Sequence, residues 1–200
     1  EYRARKWAFA SDYIRACAIY NEGGIYMDTD VIVLRNLDDL LENKAFLGFE
    51  EPNLPLTAVF GAEQHHPFIK KVLDSYDSKK ISFNPEDANP ILFKKILTED
   101  YGIILGNKEQ DLQDGIHVYK MRILCNPSLS SKTIHIFSGS WLDEKRRWIT
   151  KLDVSFREKL TNRFIVLLYI PFKRAVIIIK WFGRIGIKIK SKLGESKNEK

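Results

Sequence analysis

The sequence predicts an α/β fold of short strands and helices, and three observations predict it. Helical periodicity over residues 3–21 is closed by the pair Gly23-Gly24. Apolar runs of strand length follow at Ile25–Leu34, Phe46–Phe49, Ala58–Ala62 and Thr133–Phe137. Amphipathic stretches recur between them, at Phe68–Tyr76 and Pro90–Leu97. At 200 residues the chain has the length of one domain with a substantial core.

In the first helix Trp7, Ala10, Ile14, Cys17 and Ala18 recur at three- and four-residue steps and are expected to face inward. Asp12 and Arg15, at i and i+3, share a face, either as a surface ion pair or as a working pair. The next segment reads as a strand interrupted by Asp28-Thr29-Asp30. In extended chain, residues i and i+2 point to the same side, so both carboxylates can aim at one spot. Paired oxygens of that kind suit a hard divalent ion held against phosphates. The alternative is an ordinary turn pair, against which stand the apolar runs on both sides.

Asp38–Leu41 reads as one helical turn, and Glu50–Pro55 as a loop with two prolines. His65-His66-Pro67 reads as a cap or surface feature at the start of the helix over Phe68–Tyr76. Residues 77–89 are polar and turn-rich. In the helix from Pro90, the residues Ile91, Leu92 and Ile96 are expected inward. Residues 99–113 read as a loop, and Gly115–Leu124 as a strand or two. Alternation over Thr133–Phe137 sets His135 opposite Ile134 and Ile136, and Ser138-Gly139-Ser140-Trp141 leaves that strand as a turn.

Charge divides the chain. Residues 1–156 carry 20 Lys+Arg and 23 Asp+Glu, a net of −3, whereas residues 157–200 carry 12 and 3, a net of +9. That asymmetry calls for an acidic partner of the tail. Ala175–Ile189 is apolar, with Lys180, Arg184 and Lys188 at four-residue steps, and Pro171, Lys173 and Arg174 break any spanning run. The spacing fits a helix lying in a membrane interface, where each Lys or Arg contributes about 1 kcal/mol against an anionic leaflet. An anionic membrane surface is therefore the expected partner, rather than nucleic acid; the alternative is a C-terminal core helix with a free tail. Two cysteines make no disulfide framework; Cys17 reads as a buried thiol, which suits a reducing compartment. The opening Glu1-Tyr2-Arg3-Ala4-Arg5-Lys6 reads as the middle of a helix in a longer protein. Zinc-site spacing, a phosphate-binding Gly-rich loop, a nucleophile elbow and internal repeats are absent from the sequence.

The string Trp7-Ala8-Phe9-Ala10-Ser11-Asp12-Tyr13-Ile14-Arg15, followed by Gly23-Gly24-Ile25-Tyr26-Met27-Asp28-Thr29-Asp30-Val31, resembles the sugar-binding region of Asp-x-Asp glycosyltransferases (glycosyltransferase family 32). That family includes capsular polysaccharide and initiating mannosyltransferase types. His135 followed by Gly139-Ser140-Trp141 is similar to its closing His and Ser-Trp segment. The resemblance covers residues 1–142 and leaves out the tail.

It implies a GT-A fold, a Rossmann-like mixed sheet flanked by helices, with the family's opening nucleotide-binding part lying ahead of residues 3–21. It implies a nucleotide-sugar donor, UDP- or GDP-linked, bound with Mn2+ or Mg2+, and retaining transfer of a hexose to a polysaccharide or lipid-linked glycan. By resemblance Asp30 is the firmest metal ligand. Asp28 contacts ribose or sugar, or reaches the metal through water, and His135 is a third ligand on the metal side. Asp12 and Arg15 hold donor-sugar hydroxyls, Tyr26 lines the nucleotide site, and Ser140 and Trp141 close over the diphosphate. Asn89 is placed facing the sugar. The segment Arg122–Leu129 matches the family pattern only loosely.

The expected organisation is thus a catalytic domain over residues 1–156 and a membrane-surface segment over 157–200, at the inner face of a bacterial plasma membrane. Two rivals stand beside it. A haloacid-dehalogenase-like phosphatase would use Asp28 as nucleophile and Asp30 as acid/base, but leaves the Asp12–Arg15 helix unexplained. A non-catalytic membrane scaffold of a polysaccharide assembly would carry a decayed site.

Overall fold

A computed structural model describes residues 7–78 and 89–137. The chain divides into two compact units, Glu1–Phe137 and Ser138–Lys200. The second unit lies outside the described residues, as do Ser140, Trp141 and the basic tail.

The first unit is a mixed α/β fold. Its elements are α1 (Trp7–Glu22), β1 (Gly24–Met27), β2 (Val31–Val33), a 3-10 turn (Asp38–Glu42), β3 (Ala45–Glu51), β4 (Leu54–Ala62), α2 (Pro67–Ser78) and α3 (Asn89–Glu99). There follow β5 (Gln110–Leu112), a second 3-10 turn (Gln113–Gly115), β6 (Ile116–Tyr119), α4 (Met121–Leu124) and β7 (Thr133–His135). Five strands form one sheet in the order β1-β4-β3-β6-β5, and β2 pairs with β7 in a second, two-stranded sheet. The β3–β6 pair is parallel and every other pair is antiparallel.

The main core lies where α1, α2 and α3 meet the five-stranded sheet. Ala16, Ile19, Phe60, Phe68, Phe93 and Leu97 are buried there. Phe93 meets Phe60 and Phe68 edge-on, with ring centroids 5.3 and 5.0 Å apart. A smaller cluster around Leu40, Phe46, Leu56, Val59 and Leu124 holds the region of the second sheet.

Several expectations are corrected. Ile14 is 61% exposed, Ala18 is exposed and Cys17 is half-buried. The inward stripe of α1 instead runs through Ala16 and Ile19, with Tyr13, Cys17 and Tyr20 beside it. The helix carries apolar residues around most of its girth, so periodicity alone points to more than one face. Ile91 is likewise exposed on α3, where Phe93 and Leu97 take the core positions beside Leu92 and Ile96.

The supposed loop at residues 50–55 is a tight hairpin between β3 and β4. Pro55 is accommodated because β1 pairs only with residues 59–62 of β4, leaving that end of the strand on an edge. Residues 99–113 contain β5, a polar three-residue edge strand held by β6. On β7, Thr133, Ile134 and His135 are all buried, so both faces of the strand are covered.

Gly23 takes φ +71°, and a Cβ there would come within 2.9 Å of the Gln64 amide nitrogen. This position ends α1 and turns the chain directly into β1.

Candidate active site

The Asp28-Thr29-Asp30 segment lies where the chain leaves one sheet for the other. The Asp28 amide donates to the Ala58 carbonyl, 2.8 Å away, which continues the β1–β4 ladder. Val31 then donates back to the Asp28 carbonyl at 3.1 Å, and β2 begins. The two carboxylates are therefore anchored from different sheets, with a tight turn between them.

The first carboxylate is held by α1 and β1. Arg15 places one guanidinium nitrogen 3.0 Å from Asp12 Oδ1 and the other 3.1 Å from Asp28 Oδ1. The latter nitrogen also donates to the Thr57 carbonyl on β4, at 3.2 Å. The Tyr26 hydroxyl donates to Asp28 Oδ1 at 2.6 Å, and the guanidinium lies 4.6 Å from the Tyr26 ring centre. The Arg15 side chain is only 10% exposed, and Asp12 and Asp28 are 14% and 26% exposed. The Asp12–Arg15 pair is thus part of a half-buried network rather than a solvated surface bridge. Burial, and then the hydrogen bond to Asp28, push the Tyr26 phenol well above its ordinary range.

The second carboxylate is held by β2 and β7. Val31 stands opposite His135 in the ladder, and the Ile136 amide donates to the Asp30 carbonyl at 2.9 Å. This register brings His135 Nε2 to 3.3 Å from Asp30 Oδ1. The sequence separation exceeds 100 residues, so the pairing comes entirely from the β2–β7 ladder. The His135 amide is tied in turn to the Cys125 carbonyl at 3.0 Å.

Asp28, Asp30 and His135 each offer one ligand atom, and these atoms lie within 4.8 Å of one another. Two carboxylates and an imidazole fit a divalent ion of intermediate hardness, with open positions left for oxygen ligands. Among the described residues no other such group of His, Cys, Asp or Glu occurs.

The structure therefore draws Asp12, Arg15, Tyr26, Asp28, Asp30 and His135 into two linked clusters. Asn89 is buried at the start of α3, where its side-chain oxygen accepts from the Tyr76 hydroxyl at 3.2 Å. His66 is buried too. Its Nδ1 accepts from the Phe68 amide at 3.2 Å, which leaves Nε2 to donate to the Asp114 carbonyl at 3.1 Å. That is a cap to α2, as the sequence suggests. The Thr57 carbonyl had no sequence signal as a partner of Arg15, because a backbone group carries none.

A mixed α/β unit with a convergent Asp-x-Asp and histidine site is consistent with a GT-A-like sugar-binding region. Residues 1–47 match the family described as "Glycosyltransferase sugar-binding region containing DXD motif", and this stretch is such a region, that of a glycosyltransferase family. The human alpha-1,4-N-acetylglucosaminyltransferase is 37% identical over 73 residues, covering 36% of this chain and 20% of that protein. The Arabidopsis thaliana protein At4g19900 is 32% identical over 94 residues, covering 44% of this chain and 14% of that protein. The chain thus spans a fifth or less of the length of these curated relatives. No solved structure matches. The family match favours reading Asp28-Thr29-Asp30 as part of a sugar-binding region over the phosphatase reading.

Proposed function

We propose that this chain carries the donor-sugar site of a GT-A glycosyltransferase that moves a hexose from a UDP- or GDP-linked donor to a polysaccharide or lipid-linked glycan, with retention at the anomeric carbon. The observation that supports it most is the convergence of Asp28, Asp30 and His135 beside the Asp12–Arg15 pair. Asp30 and His135, with Asp28, would hold Mn2+ or Mg2+. The ion supplies Lewis-acid neutralisation of the charge that grows on the departing diphosphate.

The protein's own residues do the rest. Arg15 is held from three sides, so Asp12 and the guanidinium present a rigid acceptor and donor to sugar hydroxyls. Asp28 is already engaged by Arg15 and Tyr26 through Oδ1, which commits it to positioning more than Asp30. The apolar, basic segment 157–200 rests on an anionic membrane surface, at the inner face of a bacterial plasma membrane. Among the described residues no helix is long and apolar enough to cross a membrane.

The test is release of UDP or GDP from a panel of nucleotide sugars, with and without Mn2+, paired with calorimetric titration of UDP and GDP. Mn2+-dependent binding and release are expected from the full-length protein and are expected to disappear in Asp30→Ala. Binding of nucleotide that ignores both Mn2+ and the substitution would refute the reading.

A further inference from the structure

Four residues other than glycine take a left-handed backbone among the described residues: His65, Asn107, Asp114 and Phe137. Three are of the types that tolerate it, since Asn, Asp and His are enriched in that region. Phe137, at φ +58°, is not. A bulky aromatic persists there only when its surroundings over-determine it, and such residues cluster at functional sites.

The surroundings are specific. The Phe137 ring lies against the His135 imidazole, with centroids 4.0 Å apart and planes inclined by 41°. On its other contacts Phe137 joins the cluster of Leu40, Phe46 and Leu124. His135 Nε2 meanwhile stands 3.3 Å from Asp30 Oδ1. An imidazole can rotate about its Cβ–Cγ bond, and a partial turn would swing Nε2 out of line with the carboxylate. A ring packed against the imidazole restricts that swing.

We infer that Phe137 is a positioning residue for the metal-binding histidine: its left-handed backbone lays the phenyl ring against His135, and that contact fixes the imidazole plane in which Nε2 faces Asp30. The inference rests on the reading of Asp30 and His135 as metal ligands. A ligand whose plane is fixed in advance loses little freedom when the ion binds, so the stack raises affinity without touching the ion.

The experiment uses the full chain and four substitutions. Mn2+ affinity is measured by the loss of the free-ion electron paramagnetic resonance signal, and fold by thermal melting. In parallel the His135 ring protons are followed by NMR, with no metal present. Phe137→Leu fills the same core space without an aromatic face. It is expected to weaken Mn2+ binding roughly 3- to 10-fold and to remove the ring-current displacement of the His135 protons. Phe137→Tyr keeps the face and should restore both. Phe137→Gly relieves the backbone but lacks the ring, and should bind Mn2+ as weakly as Phe137→Leu while folded.

Equal Mn2+ affinity in wild type, Phe137→Leu and Phe137→Gly, with His135→Ala defective, would overturn the positioning role and leave the metal site standing. If the wild-type chain binds no Mn2+, or His135→Ala binds it normally, the metal reading falls and the inference with it. His135 protons that do not move between wild type and Phe137→Leu would overturn the stack whatever the metal does.

Discussion

The strength of the Arg15–Asp28 link is the most direct consequence of the site's geometry, and a double-mutant cycle measures it. The charges sit 3.1 Å apart. Two unit charges at that distance attract by about 5 kcal/mol at an effective dielectric of about 20, and by about 1 kcal/mol in water. The Arg15 side chain is nearly enclosed, but Asp28 retains 26% of its exposure, so solvent screens part of the attraction. A coupling of about 2 kcal/mol is expected, above the range of exposed ion pairs. The cycle is Arg15→Met, Asp28→Asn and the double variant, each unfolded in urea. Asparagine keeps the Oδ1 that accepts from Tyr26, so that bond is preserved throughout. The Arg15–Asp12 and Arg15–Thr57 contacts are lost in both arms that lack Arg15, and cancel. The coupling should persist in high salt, because the guanidinium is shielded from mobile ions. A coupling under about 0.5 kcal/mol, or one erased by salt, would show that Arg15 and Asp28 are merely neighbours on the surface.

Other expectations follow from the same coordinates. Gly61→Ala should destabilise the unit by about 1–3 kcal/mol in urea melts, since the new methyl would strike the Phe46 ring and stand 2.7 Å from the Gly24 carbonyl oxygen. Tyr26→Phe should cost about 1 kcal/mol at neutral pH through the lost bond to Asp28. The same phenol has a folded pKa raised above its unfolded value of about 10. Its contribution is therefore complete below pH ~10 and fades as pH climbs through the folded pKa. Tyr26→Phe should flatten that alkaline decline, while Tyr101, pushed up to about 12 by burial, keeps part of it. Deleting residues 164–200 should move the protein from membranes to the soluble fraction in a flotation assay, and an unchanged distribution would dispose of the membrane-surface role.

Legibility varied from element to element for physical reasons. The hydrophobic runs at Phe46–Phe49 and Ala58–Ala62 became the middle of β3 and the C-terminal half of β4, because buried central strands announce themselves by unbroken apolar sequence. β5 did not, since Gln110-Asp111-Leu112 is a polar edge strand whose only reason to be extended is its partner β6. Ile14 and Ile91 looked like core residues by spacing, yet stand exposed because neighbouring positions on the same helices took the inward face.

By itself, the sequence determined the chemistry on offer. It set two carboxylates at i and i+2, an arginine three residues after an aspartate, and a glycine pair that stops α1 before β1. Those are local relations, dictated by backbone periodicity and by glycine's freedom at positive φ. What only the tertiary structure decided is which of these groups meet. The β2–β7 register brings His135 to Asp30, and the packing of α1 against β1 and β4 lets one guanidinium reach Asp12, Asp28 and the Thr57 carbonyl. Contacts across such sequence separations are set by strand register and core packing, and the residues that meet carry no local mark of their partners.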